Sequence, residues 1–160
     1  MIEIGGLPAH ILLIHAVVVL APIAGLLAVL FAVVPRLRGR LAWPLGALAV
    51  LLAPLSLLTA QAGEQLERSM PESALIEAHA EQGDLFKALA LVFLVAVAAQ
   101  LLAAFPQALI RTQRLNGLRR LLDTRWVRAV AVVLGVIGGL VITYQSIVTG
   151  HSGSASVWSG

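Results

Sequence analysis

Four long apolar segments dominate this sequence and limit what it can fold into. They cover about residues 7–34, 41–60, 85–109 and 129–149. Each is long enough to cross the hydrocarbon core of a bilayer, which takes roughly 20 apolar residues in a helix. No stretch alternates apolar and polar residues as the strands of a closed barrel do. The sequence therefore predicts an all-α fold, a polytopic membrane four-helix bundle that forms a single domain over residues 1–160.

The composition supports a membrane protein and excludes several chemistries. Hydrophobic residues make up 59% of the chain and charged residues 12%, which leaves too little polar surface to cover a soluble core. Cysteine is absent, so disulfides, thiolate metal sites and thiol catalysis are excluded. Nearly all basic residues adjoin the apolar segments, which indicates topology rather than nucleic-acid binding. The partner that the composition predicts is the lipid bilayer.

The basic residues set the expected orientation. Nine of the eleven Lys and Arg residues lie in the loops between spans one and two and between spans three and four. The positive-inside rule places both loops in the cytoplasm, and both termini and the loop 61–84 outside it. The nine residues are Arg36, Arg38, Arg40, Arg111, Arg114, Arg119, Arg120, Arg125 and Arg128.

The outer loop contains a helix start signal. Ser69 followed by Glu72 fits a capping box, and Pro71 is tolerated in a first turn. We expect a helix from about Met70 that continues into span three. His79 would then lie above the membrane, with Gly83 one turn below it.

All four histidines are predicted to lie in one layer at the outer membrane surface. A helix rises about 1.5 Å per residue, so His15, Glu64 and His151 each stand roughly 32–36 Å from the cytoplasmic arginines. His10 lies about one turn further out, and His79 falls near the same height. A lone interfacial histidine is ordinarily just a polar surface group, but four from three helices suggest a binding site.

Two kinds of site remain open from the residues alone. The first is haem b held by histidines of different helices, with His15, His79 and His151 as axial candidates and His10 nearby; Gly83 and Gly150 would let a porphyrin approach the backbone. The second is a Zn, Cu or Fe ion bound by histidines and a carboxylate. Its ligands would come from His10, His15, Glu64, His79 and His151.

His10 and His15 are not expected to act as a simple pair. The two histidines are five positions apart, and this spacing places their side chains roughly 140° apart around the helix axis. One should face the bundle interior and the other a neighbour or solvent. His15 is the better ligand candidate because it lies deeper and within the helix.

Four short motifs resemble those of a family of small bacterial inner-membrane proteins catalogued as domain of unknown function 2231. The motifs are "LPAHILLIHAVVV", "LTAQAGE", "EAHAEQG" and "TGHSGSASVW". They carry the expected pattern at His10 and His15, Thr59 with Glu64, His79 with Gly83, and Gly150-His151 with Gly153. Ile11 and Ala60 depart from it, and a final histidine after "SVW" is missing.

The resemblance implies a fold, a location and a redox role. It implies a four-helix protein of the bacterial inner membrane. The family is similar to membrane b-type cytochromes and sometimes occurs fused to Rieske-type domains, so a membrane redox complex or Rieske-type partner is expected.

The preferred hypothesis is a membrane electron-transfer protein that binds haem b near the outer face. The alternatives are a non-haem His/Glu metal-binding membrane protein and a non-catalytic accessory subunit that docks a partner helix on the G-x-x-x-G seam of Gly135 and Gly139. Whether the protein is an enzyme stays open, since no phosphate loop, nucleotide fingerprint or nucleophile–base spacing is present. Gln100, well inside span three, is expected to hydrogen-bond a neighbouring helix.

Overall fold

Long helices account for most of the structure. The computed structural model of the protein describes residues 3–4, 7–71, 73–109 and 115–158. Two short antiparallel strands, β1 and β2, precede the first helix, and a 3-10 turn at Pro35–Leu37 precedes the second. The elements are β1 Glu3–Ile4, β2 Leu7–Pro8, α1 Ala9–Val33, α2 Arg38–Glu67, α3 Ala74–Ala104, α4 Pro106–Leu109, α5 Asn116–Leu122 and α6 Arg125–Trp158.

The prediction of four membrane-spanning helices is confirmed, although the helices are longer than the apolar segments. Four helices, α1, α2, α3 and α6, are long and apolar enough to cross a bilayer. The second helix continues to Glu67, the third already begins at Ala74, and the last continues to Trp158. Polar residues can extend a helix past the apolar part, so hydropathy predicts the crossing and not the helix ends.

The predicted helix start at Met70 is wrong. The hydroxyl of Ser69 donates to the carbonyl of Leu66 at 2.6 Å, so this serine lies at the end of α2 and not at the start of α3. Pro71 disfavours helical backbone at Met70, and α3 begins three residues after that proline, with Ser73 at its N-cap. Glu72, the other half of the expected capping box, lies outside the described residues.

The four long helices form a bundle in which α1 and α3 are diagonal. Both α1 and α3 pack against α2 and against α6. The centre contains small residues on α1, which bring the helices close together, and larger side chains from the other helices. The buried core includes Ala21, Ala24, Ala28, Phe31, Leu45, Leu52, Phe93, Val97 and Ile142.

Helices α1 and α6 approach each other closely at Gly25 of α1 and Gly139 of α6. A Cβ added to Gly139 would lie 2.5 Å from the carbonyl oxygen of Gly25, and one added to Gly25 would collide with the carbonyl oxygen of Gly139. The predicted seam on α6 is therefore used for close packing inside the bundle, and this part of it is not open to a partner helix or a flat cofactor.

Gln100 forms the expected link between helices. Its Nε2 donates to the carbonyl of Ala28 in α1 at 3.3 Å, and its amide lies against Gly135 of α6, where a Cβ would collide with it. Within the described residues its Oε1 has no hydrogen-bond partner.

The outside of the bundle is apolar, as a lipid-facing surface requires. Large apolar side chains such as Val19, Leu26 and Ile147 are more than half exposed. Trp43 and Trp126 are 82% and 84% exposed, and both lie near the arginine-rich end of the bundle. Tryptophan is enriched at membrane–water interfaces, so this pair marks one boundary of the bilayer.

Candidate functional site

His10 and His79 meet across the end of the bundle that is opposite the arginine-rich loops. Their ring centroids are 6.0 Å apart, and the ring planes make an angle of 75°. The two residues lie near the starts of α1 and α3, the diagonal helices. The rings therefore approach each other across the bundle axis instead of along one interface.

The His10 ring is held by α2. Its Nδ1 is 3.0 Å from the carbonyl oxygen of Thr59. One turn further along α2, Gly63 faces the ring, and a Cβ added there would lie 3.0 Å from both Cε1 and Nδ1 of His10. Glycine at this position gives the imidazole room to lie against the helix backbone.

The His79 ring is held in the same manner by α6. Its Nδ1 is 2.9 Å from the hydroxyl oxygen of Ser152. Gly153 follows, and a Cβ there would lie 3.0 Å from Cε1 of His79. Each histidine thus has one oxygen partner and one glycine on a neighbouring helix.

The hydrogen bonds define which ring nitrogen carries the proton. A backbone carbonyl only accepts, so Nδ1–H of His10 donates to Thr59. The hydroxyl of Ser152 donates to the carbonyl of Thr149 at 3.0 Å, so it accepts from Nδ1–H of His79. In the neutral rings both Nε2 atoms consequently carry a lone pair. Histidines that bind metals have this arrangement, with the second nitrogen bonded to a protein oxygen.

Nitrogen NMR of the side chains tests this assignment. With ¹⁵N-labelled protein at a pH where both rings are neutral, we expect Nδ1 of His10 and His79 to be protonated and Nε2 to be bare. Ser152→Ala should remove the preference at His79 and leave His10 unchanged. A protonated Nε2 on either neutral ring in the wild-type protein would contradict the hydrogen-bond assignment.

Buried polar side chains of α3 and α6 form hydrogen bonds deeper in the bundle than His79. Nε2 of Gln145 in α6 donates to Oε1 of Gln82 in α3 at 2.8 Å. Gln145 and Thr149 are both 5% exposed. Polar groups buried between apolar helices are costly unless they are paired, so these bonds favour one register of α3 against α6. That register places His79 beside Ser152.

The other predicted ligands lie away from the pair. His15 is exposed, and its Nδ1 bonds the carbonyl of Ile11 in its own helix. His151 is also exposed. Glu64 is exposed on α2 and forms an ion pair with Arg68 at 3.8 Å. The expected division between His10 and His15 is observed, but His10 is the residue at the interior and His15 is the one outside.

The two glycines expected to adjoin a cofactor do not contact the histidine pair. A Cβ on Gly83 would meet no atom within 4 Å, and a Cβ on Gly150 would make an ordinary 3.5 Å contact with Val18. Among the glycines that the structure describes, Gly63 and Gly153 touch the rings. Gly63 was not predicted, although it lies four residues after Thr59, on the same face of α2.

Two histidines are the full extent of this ligand cluster in the part of the chain that the structure describes. No group of three or more His, Asp or Glu side chains in that part is arranged to hold a metal ion. The five-residue set of His10, His15, Glu64, His79 and His151 is therefore not assembled here, whereas two of its members are adjacent.

Comparisons with known proteins add no assignment to this geometry. No protein-family model matches the sequence, and searches of curated proteins and of solved structures find no match. The resemblance to domain of unknown function 2231 consequently stays a prediction from the four motifs.

Proposed function

We propose that this protein is a membrane electron-transfer protein in which His10 and His79 bind the iron of haem b near the outer face. The observation that carries the proposal is the pairing of these two rings across the bundle, each with its Nδ1–H bonded to an oxygen of a neighbouring helix. Bound haem b would supply a one-electron couple of the iron. The chain supplies the ligands and their orientation.

The number of ligands favours haem over a bare metal ion. Structural zinc sites use four protein ligands and catalytic ones use three, but the described residues offer two histidines at this place. Haem iron needs no more than two protein ligands, because the porphyrin nitrogens provide the other four.

The separation of the rings also agrees with a shared iron. Two imidazoles that shared one metal ion, with each nitrogen about 2 Å from it, would have ring centroids roughly 6 Å apart. The observed separation is 6.0 Å. In this proposal His10 replaces His15 and His151 as the partner of His79, because those two histidines are exposed outside the bundle.

The proposed location follows from the distribution of charge. With the arginine-rich loops in the cytoplasm, both termini and the histidine pair lie on the outer side of a bacterial inner membrane. A redox partner outside the cytoplasm, such as a Rieske-type domain or another subunit of a membrane complex, could then approach the pair from the aqueous side.

An absorption spectrum tests the proposal directly. The protein is expressed with added haem precursor, purified in mild detergent and measured before and after reduction. We expect a Soret band, with sharp visible bands on reduction that indicate six-coordinate, low-spin iron. Pyridine haemochrome and metal analysis should give one haem iron for each chain.

Two other outcomes distinguish the alternatives. Zinc, copper or iron without a Soret band would replace haem with a non-haem metal site at the same histidines. Neither metal nor haem after expression with both supplied would remove the redox proposal and favour an accessory subunit of a membrane complex.

A further inference from the structure

A cavity lies at the arginine-rich end of the bundle, opposite the histidine pair, between the ends of α1, α3 and α6. Its volume is about 330 Å³. Its walls are mostly apolar and include Ala103, Ala131 and Val132. Val133 also lines it and is 54% exposed on the outside of the bundle. The cavity therefore opens beside the surface that faces lipid.

Two arginines line the same cavity. Arg38 donates from Nε to the carbonyl of Phe31 and from Nη2 to the carbonyl of Ala32, both at 3.0 Å. Arg128 donates from Nη2 to Asp123 at 2.7 Å. A guanidinium has five N–H groups, so these bonds leave donors on both side chains for a further acceptor. Arginine recognises phosphate with several such donors at once.

The two ends of the cavity differ in charge. Gln100 lies at its deep end, where the amide nitrogen already donates to Ala28 and the amide oxygen has no hydrogen-bond partner among the described residues. An unpaired acceptor repels an anion. A negatively charged group would therefore bind at the arginines, and an apolar chain would lie along the alanine and valine walls.

We propose that this cavity binds one anionic phospholipid, with its phosphate between Arg38 and Arg128 and the upper part of an acyl chain against Ala103 and Val132. The two arginines outnumber Asp123, the carboxylate bonded to Arg128, so the positive charge that remains complements the headgroup, and the apolar walls complement the chain. Free phosphate has no group to fill the apolar part. This site is separate from the histidine pair and does not depend on the proposed haem.

Native mass spectrometry of the full-length protein in detergent tests the proposal. The probes are phosphatidylglycerol and phosphatidylcholine with the same acyl chains. We expect phosphatidylglycerol to be retained preferentially. Because Arg128→Gln would remove charge-assisted hydrogen bonds to the phosphate, it should weaken retention about tenfold.

Three further variants make the result specific. Arg38→Gln should have a similar effect, whereas Arg40→Gln should have none, since Arg40 is exposed at the same end and does not line the cavity. Val132→Phe keeps both arginines and should reduce retention by filling the apolar part. Equal retention of the two lipids would overturn the proposal. An Arg40→Gln loss as large as that of Arg128→Gln, or full retention in folded Val132→Phe, would also overturn it.

Discussion

Replacing either His10 or His79 by alanine is expected to abolish low-spin haem in the purified protein. In the proposed site each ring would provide one ligand nitrogen, and the two ring centroids are 6.0 Å apart. The described residues offer no third histidine or carboxylate that forms a metal-binding group with them. With one of the two histidines removed, any haem that stayed bound would lose its low-spin spectrum, and with both removed we expect no bound haem. The measurement is the reduced-minus-oxidised spectrum, normalised to protein.

His15 and His151 provide matched controls for this experiment. Both lie toward the same end of the bundle as the pair but are exposed, so alanine at either position should leave the spectrum unchanged. Loss of the haem signal in His15→Ala or His151→Ala, with retention in His10→Ala, would assign the iron to the exposed histidines and refute the proposed pair. The folded state of each variant is checked by its elution volume in detergent.

Alanine at Gly139 is expected to destabilise the bundle by about 1–3 kcal/mol, the usual cost of overpacking. The added Cβ would lie 2.5 Å from the Gly25 carbonyl oxygen, and this backbone atom cannot rotate away as a side chain can. Helices α1 and α6 must then separate. Gly25→Ala should act in the same direction, because its Cβ would collide with the Gly139 carbonyl and with Thr143.

Gly83→Ala is a control for which we expect stabilisation instead of destabilisation. A Cβ at this helical position meets no atom within 4 Å, so Gly83→Ala should stabilise the protein by about 0.4–1 kcal/mol through reduced freedom of the unfolded chain. Thermal unfolding in detergent, followed by tryptophan fluorescence, measures both variants. Equal melting temperatures for Gly139→Ala and Gly83→Ala would contradict the close approach of α1 and α6.

The sequence predicts the number of spans well because the bilayer imposes a length and a composition on each crossing. It also predicts that the histidines share a height, since helical rise converts residue number into distance. It does not readily predict the direction in which each histidine faces. Lipid and bundle interior are both apolar, so a membrane helix has no simple polar face to mark the outside.

A different pattern could have indicated the orientation of His10. Small residues mark the buried face of α1, at Ala21, Ala24 and Ala28. One turn before Ala21, the same face contains Val17, which is buried. Two turns before Val17, it contains His10. Large apolar residues such as Val19 and Leu26 mark the exposed face, and His15 lies on it. The size of the residues on α1, and not their hydropathy, distinguishes the buried face of this helix from the exposed one.

The hydrogen bonds of the two histidines lie within two different helical hairpins. His10 is bonded to α2, so its partner belongs to the first helical hairpin, and His79 is bonded to α6 in the second. At this end the contact of the two rings links the hairpins, in addition to the packing of α1 on α6 and of α2 on α3. A ligand that binds both rings would therefore fasten one hairpin to the other, and its binding free energy would become part of the free energy that keeps the two halves assembled.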